Sequence, residues 1–167
     1  PFAHGMYRFS MFQINYYLRV REQLNIDYDS FMIIQSVVSH VLYHLNKKNM
    51  SSSYQELESE WDKILNKNNS VLDAVGGFMP QKTNSKLTVS SICLVTSLPK
   101  ETTRRKVNQL IKKNILKMVK ANGIVLGPQY KKIFREFVPT TTVEVAKLIK
   151  SWEKTGILKN LLKFNNG

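Results

Sequence analysis

The most basic part of the chain, residues 87–127, reads LTVSSICLVTSLPKETTRRKVNQLIKKNILKMVKANGIVLG. Thr88 is a natural N-cap for a short helix that extends to about Ser97. Pro99 fits the first turn of a second helix, where its missing N–H is not needed. Asn114 suits the left-handed position that ends this second helix. The segment therefore predicts two short helices joined by a tight turn.

Two β-prone runs follow the second helix, at Ile115–Ala121 and Ile124–Gly127. Asn122 and Gly123 separate them. Asn-Gly is typical of a type I′ turn, because that turn needs a positive φ at both central residues. The sequence therefore predicts a β-hairpin over residues 115–127.

Positive charge is concentrated in the same region. The chain carries 25 Lys and Arg against 12 Asp and Glu, for a net charge of +13. Residues 1–81 hold 7 basic and 8 acidic side chains, whereas residues 82–135 hold 13 basic side chains against Glu101 alone. Because like charges repel, such a local excess indicates an anionic partner, either nucleic acid or an acidic membrane surface.

This stretch of helix, turn, basic helix and hairpin resembles the winged helix-turn-helix of bacterial transcriptional regulators, with the MarR and IclR types closest. The likeness is carried by Leu98-Pro99-Lys100, the basic pair Arg104-Arg105, and Leu110 and the aliphatic pair after Asn114. Thr103 stands where the family usually has an aliphatic residue. The resemblance covers about 40 of the 167 residues, and it implies a sequence-specific double-stranded DNA-binding protein with the hairpin as its wing.

The resemblance also implies which residues meet DNA. The second helix would enter the major groove with its first turns against the base edges. An Arg there can pair with a guanine, which is worth roughly 1–3 kcal/mol, and lysines further along would meet phosphates. The implied DNA-binding residues are Lys100, Thr102, Thr103, Arg104, Arg105, Lys106, Asn108, Lys112, Lys113, Lys117, Lys120 and Asn122.

The flanking regions read as helices, so the expected fold is mainly α with one small hairpin. Apolar residues recur at helical spacing over Met6–Leu24 and over Ser30–Leu45, with Asp27 or Asp29 as an N-cap between them. A capping box that starts at Ser53 opens a third helix, and residues 66–86 read as a loop.

These elements suggest three regions within one compact domain: a helical region for dimerisation or support at 1–81, the DNA-binding core at 82–135 and amphipathic helices at 136–167. In the last region the threonines after Pro139 offer caps, and Gly156 breaks the helix. The apolar face of these C-terminal helices has little left to cover, and the resemblance implies a homodimer formed through terminal helices.

Several classes of protein are disfavoured. A single cysteine excludes a disulfide framework, and the apolar run at Phe31–Leu45 is too short and too polar to span a bilayer. His40 and His44 are spaced as a metal pair could be, but core histidines are the ordinary interpretation. No catalytic constellation stands out, so we expect no enzyme, no metal and no cofactor.

The chain opens without a signal peptide, so we expect a cytoplasmic protein with no membrane partner. The nature of any small-molecule effector is left open. The alternative function is a winged-helix module for RNA binding or protein assembly, without operator specificity.

Overall fold

A computed structural model describes residues 2–49, 86–120 and 123–163, and within these it is mainly helical with one small antiparallel hairpin, as the sequence predicts. The described residues group into two compact units. One unit lies within Ile26–Arg135, and the other within Pro1–Asn25 and Glu136–Gly167. The helix and loop predicted from Ser53 to residue 86 fall almost entirely outside the described residues.

The unit within Ile26–Arg135 contains four helices and the hairpin among its described residues. In chain order these elements are α2 (Tyr28–Asn49), α3 (Val89–Thr96), α4 (Lys100–Lys112), β1 (Leu116–Val119), β2 (Gly123–Leu126) and α5 (Pro128–Phe134). The seven-residue helix α5 was not predicted from the sequence, although a Gly followed by Pro at the first helical position is a recognised start signal.

Helix α2 forms the centre of this unit because it contacts α3, α4 and β2. Its predicted cap at Asp27 is confirmed, since the Ser30 amide donates to Asp27 Oδ1 at 2.9 Å. Ile33 and Ile34 are fully buried. Phe134 of α5 stacks on Phe31 with their ring centroids 6.4 Å apart. The apolar face predicted for α2 therefore packs in the core that carries the basic helix.

The hairpin differs from the predicted two-residue turn. Val119 pairs with Gly123, so Gly123 belongs to β2 and is not one of the two central turn residues. A residue outside the hairpin also pairs with β2: Leu87 forms a parallel bridge with Gly123, and the Ile124 amide donates to the Leu87 carbonyl at 2.9 Å. The second strand is thus held from both sides.

The second unit contains three described helices: α1 (Phe2–Leu24), α6 (Phe137–Lys154) and α7 (Ile157–Lys163). Helix α6 packs on α1. Trp152 Nε1–H donates to the Gly5 carbonyl at 3.2 Å, and the Tyr16 and Phe137 rings lie 5.5 Å apart. The inner stripe of the C-terminal helix is therefore covered by α1 of the same chain.

The start of α6 corrects one prediction and its end confirms another. The helix begins at Phe137, before Pro139, so Thr141 and Thr142 do not cap it. Their hydroxyls instead donate to carbonyls four residues back, Thr141 to Phe137 at 2.8 Å. Pro139 is tolerated because its position lies in the first turn, where no amide is needed. Gly156, with φ of 72°, separates α6 from α7 as predicted.

Candidate nucleic-acid interface

A three-residue turn joins α3 to the basic helix α4. Thr88 caps α3 as predicted, because its Oγ1 accepts from the Ser91 amide at 3.1 Å. Ser97 ends α3 in the left-handed conformation, with φ of 56°, and its amide donates to the Cys93 carbonyl at 2.8 Å. Pro99 is the N-cap of α4, one residue earlier than the predicted first turn. Local hydrogen bonds thus define the turn between the two helices.

Helix α4 has one buried face and one charged face. Thr103, Lys106, Val107 and Leu110 are the buried positions, at the spacing of three and four residues that marks one side of a helix. The opposite side carries exposed polar and charged residues, with Arg105 near its centre. The packing of the helix therefore directs a basic surface outward.

The structure leaves seven of the predicted site residues exposed and two half-buried. The exposed ones are Lys100, Arg104, Arg105, Asn108, Lys112, Lys113 and Lys120, and the half-buried ones are Thr102 and Lys117. Asn122 lies outside the described residues.

Thr103 and Lys106 are buried, which removes them from a surface that could meet DNA. Thr103 is fully buried and its hydroxyl donates to the Pro99 carbonyl at 3.1 Å, so it takes a core position of α4. Lys106 Nζ lies 2.7 Å from Asp27 Oδ1 and 3.5 Å from Asp29 Oδ2. Lys106 therefore ties α4 to the start of α2.

The ion pair also affects Asp27. Burial alone would raise the pKa of the Asp27 carboxyl, but hydrogen bonds from Lys106 and Ser30, with the positive charge of Lys106, lower it below its usual value. The carboxylate that caps α2 is thereby kept ionised, and the same group holds the lysine of α4.

The hairpin is attached directly to the end of α4. Asn114 is left-handed as predicted, with φ of 55°, and the Ile115 amide donates to the Leu110 carbonyl at 3.0 Å. Asn114 and Ile115 carbonyls in turn accept from the Gln129 and Gly127 amides at 3.0 and 2.7 Å. These bonds join the basic helix to both ends of the hairpin, which carries Lys117.

Further charged residues belong to the same unit but were not predicted as site residues. Lys132 lies on α5 and Arg135 is the residue after it, and both side chains are exposed. They were not predicted as site residues because the sequence did not predict this helix. Glu101 lies on α4 itself, 82% exposed, and its carboxylate is 3.5 Å from Arg104 Nη1. This acidic group therefore partly neutralises Arg104, while Arg105 lies nearer the centre of the outward side of α4.

The remaining candidates from the sequence are a metal site and a membrane-spanning helix. Over the described residues there is no group of three or more His, Cys, Asp and Glu that could hold a metal ion. His40 and Cys93 are each half-buried. No helix in the described part of the chain combines the length and apolar character that crossing a membrane needs.

Comparisons with protein-family models, with curated proteins and with solved structures give no match for this chain. A functional assignment therefore depends on the chemistry of the basic surface.

Proposed function

We propose that this protein binds double-stranded DNA and regulates transcription, with a winged helix-turn-helix of the MarR kind formed by α3, α4 and the hairpin. One observation carries the proposal: the basic side of α4 is the side opposite its buried face. A helix that uses one face for the core and presents Arg105, Asn108 and Lys112 on the other can enter the major groove without disturbing its own packing.

The side chains on the outward face suit base recognition. Arg can bind guanine O6 and N7 together, and Asn can bind adenine N6 and N7 together. Arg105 and Asn108 lie three residues apart and are both exposed, so both point to the same side of the helix. We assign base reading to these two residues, with Arg105 as the principal reader.

We assign phosphate contacts to the exposed and half-buried lysines around this face. Lys112 and Lys113 lie at the end of α4, and Lys117 and Lys120 lie in or next to the hairpin that is bonded to that end. Such contacts supply affinity and hold the register of the helix on the duplex, without reading sequence. A homodimer would bind two half-sites about one duplex turn apart.

The salt dependence of DNA binding tests the electrostatic part of the proposal. Because each neutralised phosphate releases counterions, log affinity should fall with log salt by about 0.9 per contact. Lys112→Ala should reduce the slope by roughly one unit and weaken all duplexes alike. The matched control is Lys159→Ala, which removes the same charge from an exposed lysine of α7 in the other unit.

Equal slopes for the Lys112→Ala protein and the unsubstituted protein would take Lys112 out of the interface. An affinity that does not change with salt would overturn DNA binding itself. Tighter binding to single-stranded RNA than to any duplex would favour the RNA-binding alternative.

A further inference from the structure

Helix α1 carries two apolar faces, of which only one is used by the contacts described above. The inner face packs on α6: the Phe9 and Trp152 rings lie 6.0 Å apart, and Tyr16 contacts Phe137. Gly5 lies on the same face, where an added Cβ would lie 2.6 Å from the Ile157 Cδ1 atom and the Ile157 side chain would have to shift. This face therefore holds the unit within Pro1–Asn25 and Glu136–Gly167 together.

The opposite side of α1 carries a second stripe, formed by Tyr7, Met11, Ile14 and Leu18. Tyr7, Ile14 and Leu18 are 61%, 51% and 43% exposed, and Met11 is half-buried. The residues are spaced by four, three and four, the alternation of three and four that marks the seam of helices that pair with one another. A solvated helix face is normally polar, so this stripe has the pattern of a contact surface.

We propose that this stripe is the contact surface for a second copy of the chain, with the two α1 helices antiparallel about a two-fold axis between Met11 and Ile14. In this register Met11 packs on the partner's Ile14, and Tyr7 packs on the partner's Leu18. A two-fold contact needs a self-complementary patch, and this stripe satisfies it because its apolar positions are symmetric about that point.

The charges that flank the stripe select the antiparallel arrangement. Arg8 and Glu22 are both exposed and lie on the same edge of the stripe. Antiparallel pairing in the register above brings Arg8 next to the partner's Glu22, and the symmetric pair forms at the other end. A parallel pair would instead bring Arg8 next to the partner's Ala3 and Glu22 next to the partner's Tyr17, with no opposite charges in contact.

This surface would form the homodimer of the proposed function, and α1 lies outside the unit that contains α4, so dimerisation and DNA contact by α4 can be measured separately. Four apolar side chains per copy make a small contact, and interfaces below about 1,200 Å² in total are usually weak. We therefore expect a reversible dimer with a dissociation constant in the micromolar range.

Sedimentation equilibrium of the full chain, from about 1 to 200 µM, tests the surface. The average mass should rise toward that of a dimer, and Ile14→Glu should raise the dissociation constant at least ten-fold. The control, Gln13→Glu, places the same charge on an exposed neighbouring position off the stripe and should leave the dimer unchanged. A chain that stays monomeric throughout, or an Ile14→Glu protein that dimerises normally, overturns the proposal.

Charge reversal tests the orientation and needs no change to the apolar stripe. Arg8→Glu and Glu22→Arg should each weaken the dimer roughly ten-fold at low salt, because two exposed ion pairs become two repulsions. The doubly reversed protein, Arg8→Glu with Glu22→Arg, should recover the original affinity. Failure of the double variant to recover after both single variants weaken the dimer rules out the antiparallel register.

Discussion

Among the residues that the structure describes, two glycines have positive φ for different reasons. Gly123 has φ of 74°, and a Cβ there would overlap the Leu87 carbonyl, because the backbone of Leu87 lies directly against the strand. Gly156 has φ of 72°, but nothing lies within 4 Å of where its Cβ would be. The first glycine permits a close approach of two backbones, and the second only ends a helix.

This difference predicts unequal effects of the same substitution. Gly156→Ala should cost about 1 kcal/mol, since only the left-handed conformation is penalised. Gly123→Ala should in addition displace Leu87 and loosen the hairpin. Exchange of the Ile124 amide hydrogen, which is bonded to Leu87, should become about 100-fold faster in Gly123→Ala, equivalent to roughly 3 kcal/mol.

In the Gly156→Ala control the exchange rate of the Ile124 amide should not change. Equal rates in all three proteins would mean that the Leu87 contact does not hold the second strand.

Residue-level predictions succeed where the interaction is local. The caps at Asp27 and Thr88 and the left-handed Asn114 are confirmed, because each depends on hydrogen bonds within a few residues. The prediction that Lys106 contacts DNA is wrong, because Lys106 forms an ion pair with Asp27, which lies 79 residues away in the chain. Helical periodicity marks Lys106 as one more basic side chain and cannot show that a carboxylate faces it.

At the scale of elements, the Lys106–Asp27 ion pair links two helices and should be visible in a pH titration. Asp27 has a pKa lowered below its usual value, so it stabilises the folded state above that usual value. This contribution is lost as the pH falls through the lowered pKa. The link between α2 and α4 should therefore weaken only in strongly acidic solution.

Replacing the lysine tests this link. In Lys106→Met the midpoint of the Asp27 carboxyl titration, followed by NMR, should rise. The reason is that the hydrogen bond from Lys106 and its positive charge both lower the pKa of Asp27. The control Lys112→Met removes an exposed lysine from the same helix and should leave the midpoint where it is. An unchanged midpoint in Lys106→Met would contradict the ion pair.

The elements themselves were largely predictable, whereas their boundaries and one short helix were not. The apolar period identified α1, α2, α3, α4 and α6, because apolar residues recur along each of them at helical spacing. Helix α5 is only seven residues long, too short for a period to stand out beside the hairpin. The predicted hairpin register is wrong: Gly123 pairs within β2 and also with Leu87, a residue outside the hairpin that the turn signal does not take into account.

For the whole molecule, the charge pattern of the sequence located the basic surface. The apolar faces indicated that the helices pack, but they did not show which helix packs against which. The C-terminal helix was expected to lack an internal partner, yet its inner stripe covers α1, from which it is separated by over a hundred residues. Periodicity in a sequence reports that a face is apolar, and pairing over such distances depends on the complete fold. Homodimerisation through the terminal helices stays a prediction, and the stripe on α1 is the contact surface that we propose for it.

Binding of selected and random DNA duplexes is the most direct test of the central claim. Duplexes are selected from a random pool with the intact protein, and anisotropy titrations at about 150 mM salt compare a selected duplex with a random one. We expect the selected duplex to bind at least about 1,000-fold more tightly. Arg105→Ala should lose roughly 1–3 kcal/mol of preference at one base pair in each half-site, whereas Arg104→Ala should weaken all duplexes alike. Equal affinity for selected and random duplexes, with the Arg105→Ala binding profile unchanged, would contradict base reading by α4.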